Sequence, residues 1–211
     1  LKTGKNIFSV ISNYKAEAEQ VIFAYKEDIP IEVINLGNID SDNSGKIEAC
    51  YDATNKTIYF ALTDSSYDTI VFNADSSHMF SMGNTEDTAF NKLKTIAVDD
   101  KLTIDTSQVT SFAEIFKYNT SLTQESIQAF INKFDTKNVT NMCAMFEYLN
   151  IDAIDISHFN TANVTDISWL FHGSSIININ FGSNFNTSNV RKFDGMFQDM
   201  KKITTLDISL I

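Results

Sequence analysis

One thirteen-residue motif recurs along this chain at a nearly fixed interval. FDTKNVTNMCAMF begins at Phe134, FNTANVTDISWLF at Phe159 and FNTSNVRKFDGMF at Phe185, spaced by 25 and 26 residues. A constant period in this range decides architecture before any local propensity is weighed, because each copy must bury its apolar face against its neighbours. A fainter copy, IDTSQVTSFAEIF, begins at Ile104, and AFNKLKTIAV (Ala89 to Val98) reads as the tail of a more degenerate one. An apolar alternating run follows each good copy: Ile154 and Ile156; Ile177, Ile179 and Phe181; Leu206 and Ile208.

Within one copy Val139, Met142, Met145 and Phe146 share the spacing of one helical face, as do Val109, Phe112, Ile115 and Phe116; Val164, Ile167, Leu170 and Phe171; and Val190, Phe193, Met196 and Phe197. This predicts a helix of about two turns per copy, with Asn138, Asn163 and Asn189 capping the free N–H groups at its start. The alternating run predicts a short strand, inward at Ile154 and Ile156 and outward at Asp155. Stacked copies would then place helices on one side and a parallel sheet on the other. The expected fold is α/β: a leucine-rich-repeat solenoid with a short helix and a short parallel strand per repeat. Recurrent Thr136, Thr161 and Thr187, with Asp135, Asn160 and Asn186, should form side-chain ladders that satisfy turn backbone groups. A cation held among the stacked Asp and Asn oxygens is the sharper alternative.

Composition narrows the partners. Sixteen basic and twenty-seven acidic side chains give a net charge of −11 and an isoelectric point near 4.6, which repels nucleic acid and anionic lipid alike. No apolar run approaches the ~20 residues of a membrane span, and no signal segment stands at the start, so the chain reads as a fragment. Cys50 and Cys143 lack metal-ligand spacing and are too few for a disulfide framework; free thiols or one bridge both remain open. With one proline and seven glycines, turns fall to Asn, Asp and Ser.

The stretch SLTQESIQAFINK between Ile104 and Phe134 lengthens one copy and predicts an inserted helix near 121–133, capped by Thr123 or Ser121 and apolar along Ile127, Phe130 and Ile131. It reads better as a local patch over a poorly stacked repeat than as a binding element. Residues 1–75 read as an α+β cap that shields the first repeat. They comprise a short helix within Asn6 to Tyr14, a strand through Val21 to Tyr25, and a hairpin of Ile47 to Tyr51 with Thr57 to Leu62, with Asn55 as its positive-φ residue. Residues 76–211 are assigned to the repeats. The apolar end at Ile203, Leu206, Ile208, Leu210 and Ile211 suggests either missing repeats or end-to-end self-association through a C-terminal strand.

The motif F-[DN]-T-x-N-V-T-x-M-x-x-M-F followed by a strand resembles the BspA-like leucine-rich repeat surface proteins of bacteria. The likeness spans roughly residues 70–211, and DTIVFNADSSHMF (Asp68 to Phe80) is similar to the entry of such arrays. It implies a secreted or cell-wall-associated, extracellular module that binds proteins or host surfaces, without catalytic activity in the repeats.

No nucleophile elbow, zinc-protease helix, phosphate loop or dinucleotide fingerprint is present. His78, His158 and His172 are dispersed and read as loop histidines, and no carboxylate pair stands out as a glycosidase couple. Trp169 and Phe193 fall on the repeated helices, as packed aromatics. No catalytic residue, metal or cofactor is assigned. The expected function is protein or host-surface binding through the outward strand positions Thr95, Ala97, Asp155, Ser157, Asn178, Asn180, Thr205 and Asp207, a polar and mildly acidic face suited to a basic or hydroxyl-rich partner. A structural spacer is the competing class and a hydrolase the least favoured.

Overall fold

The computed structural model describes residues 1–81, 90 and 92–207. Helix α1 (Gly4–Val10) opens the chain, its first turn capped by the Thr3 hydroxyl, which accepts from Asn6 N. Strands β1 (Gln20–Tyr25), β2 (Ile34–Asn38), β3 (Ile47–Asp52) and β4 (Thr57–Leu62) then build a mixed sheet of order β2-β3-β4-β1-β6, where β6 is Thr95–Val98. β1 is an interior strand parallel to both neighbours, and it is buried on both faces at Val21, Phe23 and Ala24, as its apolar run QVIFAY requires. The β3–β4 hairpin forms as its alternation predicts. Its left-handed residue is Lys56 (φ 51°), however, not Asn55. Asn55 is held instead by Asp52, which accepts from both its backbone N and its Nδ2.

β6 lies beyond residue 75 yet pairs with β1 of this sheet, so the two halves share one hydrophobic core. Two further parallel pairs stand apart from it: β5 (Thr69–Val71) with β7 (Thr103–Asp105), and β8 (Ala153–Asp155) with β9 (Asn178–Asn180). The insertion is helix α2 (Gln124–Ile131), capped by Thr123, with Ile127, Phe130 and Ile131 buried. No helix among the described residues is long and apolar enough to cross a membrane.

The expected α/β leucine-rich-repeat solenoid, with a helix and a parallel strand in every repeat, is overturned. The described residues hold two α-helices, neither within the motif, and the strands of the repeat region do not form one sheet: β6 joins the N-terminal sheet, while β5–β7 and β8–β9 are separate pairs. The cause is visible in the backbone. Two columns of equivalent motif positions are left-handed: His78, Glu114, Ala144, Trp169 and Gly195, then Tyr118, Tyr148, Gly173 and Asp199, with φ between 53° and 63°. A left-handed residue halfway along the segment ends any helix. Instead, alternate N–H groups close short turns, such as Ile115 N to Phe112 O and Lys117 N to Glu114 O. The others leave for the next copy: Phe112, Glu114, Phe116 and Tyr118 N donate to the carbonyls of Asn141, Cys143, Met145 and Glu147. That ladder repeats from Met142 to Tyr148 onto Asp166 to His172, and from Ile167 to Gly173 onto Lys192 to Gln198.

The side-chain columns do bridge turns and copies. Thr136 Oγ1 donates to Asn160 O and accepts from Asn160 N; Thr106 and Thr161 do the same toward Asp135 and Asn186. Asp135, Asn160 and Asn186 each accept from the amide two residues on, so their oxygens serve turns rather than converge on a cation. Asn138, Asn163 and Asn189 cap no helix. Their Nδ2 groups each donate to a carbonyl of the preceding copy at 2.7 Å. Ile208, Leu210 and Ile211, on which the C-terminal strand rests, and Ala89 and Asn91 of the degenerate copy lie outside the described residues.

Candidate functional site

β8 and β9 carry short apolar alternations that bury Ile154 and Ile156 while leaving Asp155, Asn178 and Asn180 exposed. Residues 205–207 run beyond β9, and α2 walls the other side. Together they enclose an open groove of about 570 Å³. Five of the outward strand residues, Asp155, Asn178, Asn180, Thr205 and Asp207, line it. Ser157 stands behind, its amide donating to Asp155 Oδ1 at 2.8 Å. Thr95 and Ala97 are elsewhere: β6 places them in a second groove across α2. Ile177, expected to point inward, is 39% exposed and lines the first groove, while Ile176 is buried in its place.

The wall that sequence reasoning missed is a stripe of amides. Gln124, Gln128 and Asn132 recur every fourth residue, flanking the apolar stripe of α2, and all three line the groove. The two glutamines bond three backbone groups along the edge of β8. Gln124 Oε1 accepts from Ala153 N at 3.1 Å, Gln128 Oε1 accepts from Asp155 N at 2.9 Å, and Gln128 Nε2 donates to Asp155 O at 2.8 Å. On the opposite flank Ser126 Oγ accepts from Ile96 N at 2.7 Å and donates to Ile96 O. The insertion thus seals two strand edges that would otherwise invite pairing.

Asp155 supplies fixed charge. Hydrogen bonds from Ser157, and then from Asn180 Nδ2 at 3.0 Å, hold its carboxyl below the ordinary range. An ionised carboxylate is the wrong form for a general acid at neutral pH. Asp207 adds a second carboxylate, so the groove offers negative charge and amide hydrogen bonds to a ligand.

A second constellation runs along the stack. Glu114 lies 3.4 Å from both His78 and Lys117, Lys117 is 3.0 Å from Glu147, and Glu147 is 3.1 Å from His172 Nδ1. His172 Nε2 then faces Asp199 at 3.3 Å. His172 lies in a turn, as expected of a loop histidine, but is buried there, and contacts between carboxylates and Lys or His side chains stitch successive copies together along this column. His158 bonds the Ile131 carbonyl. Phe193, expected to pack, is 67% exposed.

Both cysteines are free thiols. Cys50 is buried; Cys143 is half-buried, and burial first, then the Asp166 and Glu114 carboxylates, push its thiol up to about 11. Because the thiolate is the reactive form, Cys143 in the folded chain should resist iodoacetamide at pH 7.5 and speed up only as pH climbs toward 11. Mass spectrometry of timed alkylation checks this. Modification as fast as in the urea-unfolded chain would contradict the buried, carboxylate-lined setting.

No curated protein and no solved structure matches this chain. The family model described as a Mycoplasma protein of unknown function, DUF285, matches residues 84–209, which takes in the four motif copies, α2 and every residue of the groove. The match spans more than half of the 211 residues, and the chain belongs to that family.

Proposed function

We propose that this chain is a non-catalytic, extracellular binding module, and that the groove between α2, β8, β9 and residues 205–207 takes a basic segment of a partner protein or host surface. The carrying observation is the convergence of Asp155 and Asp207 with Asn178, Asn180 and Thr205 on one open groove. The overall charge of −11 adds long-range attraction for a cationic partner. The motif's resemblance to BspA-like surface proteins supports the extracellular setting.

The test is titration of lysine-rich peptides and extracellular-matrix proteins onto the chain, beside the double variant Asp155→Lys, Asp207→Lys. Asp155 and Asp207 are exposed, but Asp155→Lys gives up the bonds from Ser157 N and Asn180 Nδ2, so the variant should melt slightly lower, while its affinity, measured well below that temperature, falls by at least about tenfold, or about 1.4 kcal/mol. Added salt should weaken wild-type binding in the same direction. Asp155 carries a lowered pKa, so it stays charged down through the ordinary value of 3.8. Affinity should therefore be level from about pH 8 to pH 5 and fall only below about pH 4. Unchanged affinity in the double variant would move the site elsewhere, and no saturable ligand at all would favour a spacer.

A further inference from the structure

Over the second half of each motif the inter-copy ladder has a direction, whereas at its start Thr140, Thr165 and Arg191 N donate back to Thr110, Thr140 and Thr165 O of the earlier copy. In every junction the earlier copy donates its alternate N–H groups to carbonyls of the later one, from Ser76, His78 and Phe80 onto Ser111, Ala113 and Ile115 through to Ile167, Trp169, Phe171 and Gly173 onto Lys192, Asp194, Met196 and Gln198. The last copy repeats the geometry, with Gly195 and Asp199 left-handed at 61° and 59°. Its equivalent donors are the N–H groups of Phe193, Gly195, Phe197 and Asp199, and among the described residues none of them meets an acceptor.

The apolar side of the same edge is open too. Phe193 is 67% exposed, whereas its equivalents Phe112, Met142 and Ile167 are 0%, 1% and 2% exposed. With Ile167, Val190, Met196 and Phe197 it lines a predominantly apolar groove. Thr187 and Ser188 complete the edge: they occupy the positions where Thr161 binds the backbone of Asn186, and where Ala162 O accepts from the Asn189 side chain.

We propose that this end of the stack is a docking edge for one more copy of the F-[DN]-T-x-N-V motif, carried by another polypeptide segment. The argument is continuity with an interface formed three times between the motif copies of this chain. A further copy would present carbonyls to the four free donors, its Asx backbone to Thr187 Oγ1 and its Asn side chain to Ser188 O, and would bury Phe193. An ordinary extended strand fits poorly, because the row of donors arises from alternating right- and left-handed residues. A second copy of this chain fits no better. Its own acceptor edge is occupied, since Asp75 O accepts from Gly4 N at 3.0 Å and Gly4 is seated so tightly on Ser77 that a Cβ there would strike the Ser77 carbonyl. A two-fold pairing of last copies would set donors against donors.

The experiment follows amide exchange by NMR in the whole chain, with a synthetic peptide of the sequence of residues 159–181 as probe. Protection of the Phe193, Gly195, Phe197 and Asp199 amides should rise by about tenfold or more at saturating peptide. A peptide with its Asn163→Ala change, or a chain with Thr187→Val, should bind more weakly while the chain's fold is unaltered. Three results would overturn the proposal: no added protection at millimolar peptide, equal protection by a scrambled peptide, or protection that rises with chain concentration alone, which would make the occupant a second copy.

Discussion

Replacing Phe171 by alanine is expected to cost about 3–5 kcal/mol of unfolding free energy, the range for deleting a fully enclosed phenylalanine. Phe171 is 0% exposed and sits inside a column of rings that runs the length of the stack. Phe80, Phe116, Phe146, Phe171 and Phe197 follow one another at centroid distances of 6.0, 6.1, 5.5 and 6.0 Å, with interplanar angles no greater than 13°. Phe181 adds an edge-on contact at 6.1 Å. Rings in this column contact others of the same kind above and below, so a missing ring leaves a cavity that neighbours fixed by backbone ladders cannot collapse into. The exposed Phe193 is the matched control, and alanine there should change stability by no more than about 0.5 kcal/mol. Urea titration of both variants decides. A loss below about 1 kcal/mol at Phe171 would mean that the column is not the core of the stack.

The column shows why some of this fold was legible and some was not. Spacing of i, i+3, i+6 and i+7 correctly selects Val139, Met142, Met145 and Phe146 as buried, because burial is all that side-chain periodicity reports. It does not report backbone conformation. A train of turns broken by left-handed residues can bury that spacing as well as a helix does, and Glu114, Tyr118, Ala144 and Trp169 carry no left-handed preference of their own. Gly173 and Gly195, which fall in the two left-handed columns, were the clearest local sign, with His78 and Asp199 weaker ones. The stabilising bonds lie between copies, where no local rule reaches. Asn138 illustrates the result: its side chain was correctly expected to satisfy backbone, but it serves a carbonyl of another copy rather than a helix N-terminus.

The groove divides in the same way. Alternation around Ile154 and Ile156 was enough to turn Asp155 outward, whereas Thr95 was misplaced because β6 takes its neighbour, β1, from a segment some seventy residues earlier. The amides of Gln124 and Gln128 were in plain view as a polar stripe. Their role emerged only once α2 was seen lying along β8, since a strand edge that needs donors and acceptors is a tertiary fact.

Gly182 stands immediately beyond this groove, and its replacement by alanine should be the other severe loss. Its φ is 66°, and a Cβ there would sit 2.6 Å from Cα, Cβ and O of Ser157, backbone that cannot rotate away. Left-handed strain contributes about 1–2 kcal/mol and forced overpacking about 1–3 kcal/mol, giving an expected loss of about 2–5 kcal/mol. Gly45 separates the two causes. It is also left-handed, at 76°, but a Cβ there meets nothing within 4 Å, so Gly45→Ala should show the strain alone. Because Ser157 N holds Asp155 Oδ1, the shift forced by Gly182→Ala should also loosen the groove carboxylate and weaken cationic ligands, whereas Gly45→Ala should leave binding untouched. Equal losses of stability at the two glycines would mean that the chain beyond β9 is not pressed against Ser157. The wall linking β9 to β8 would then be softer than the ladder of copies behind it.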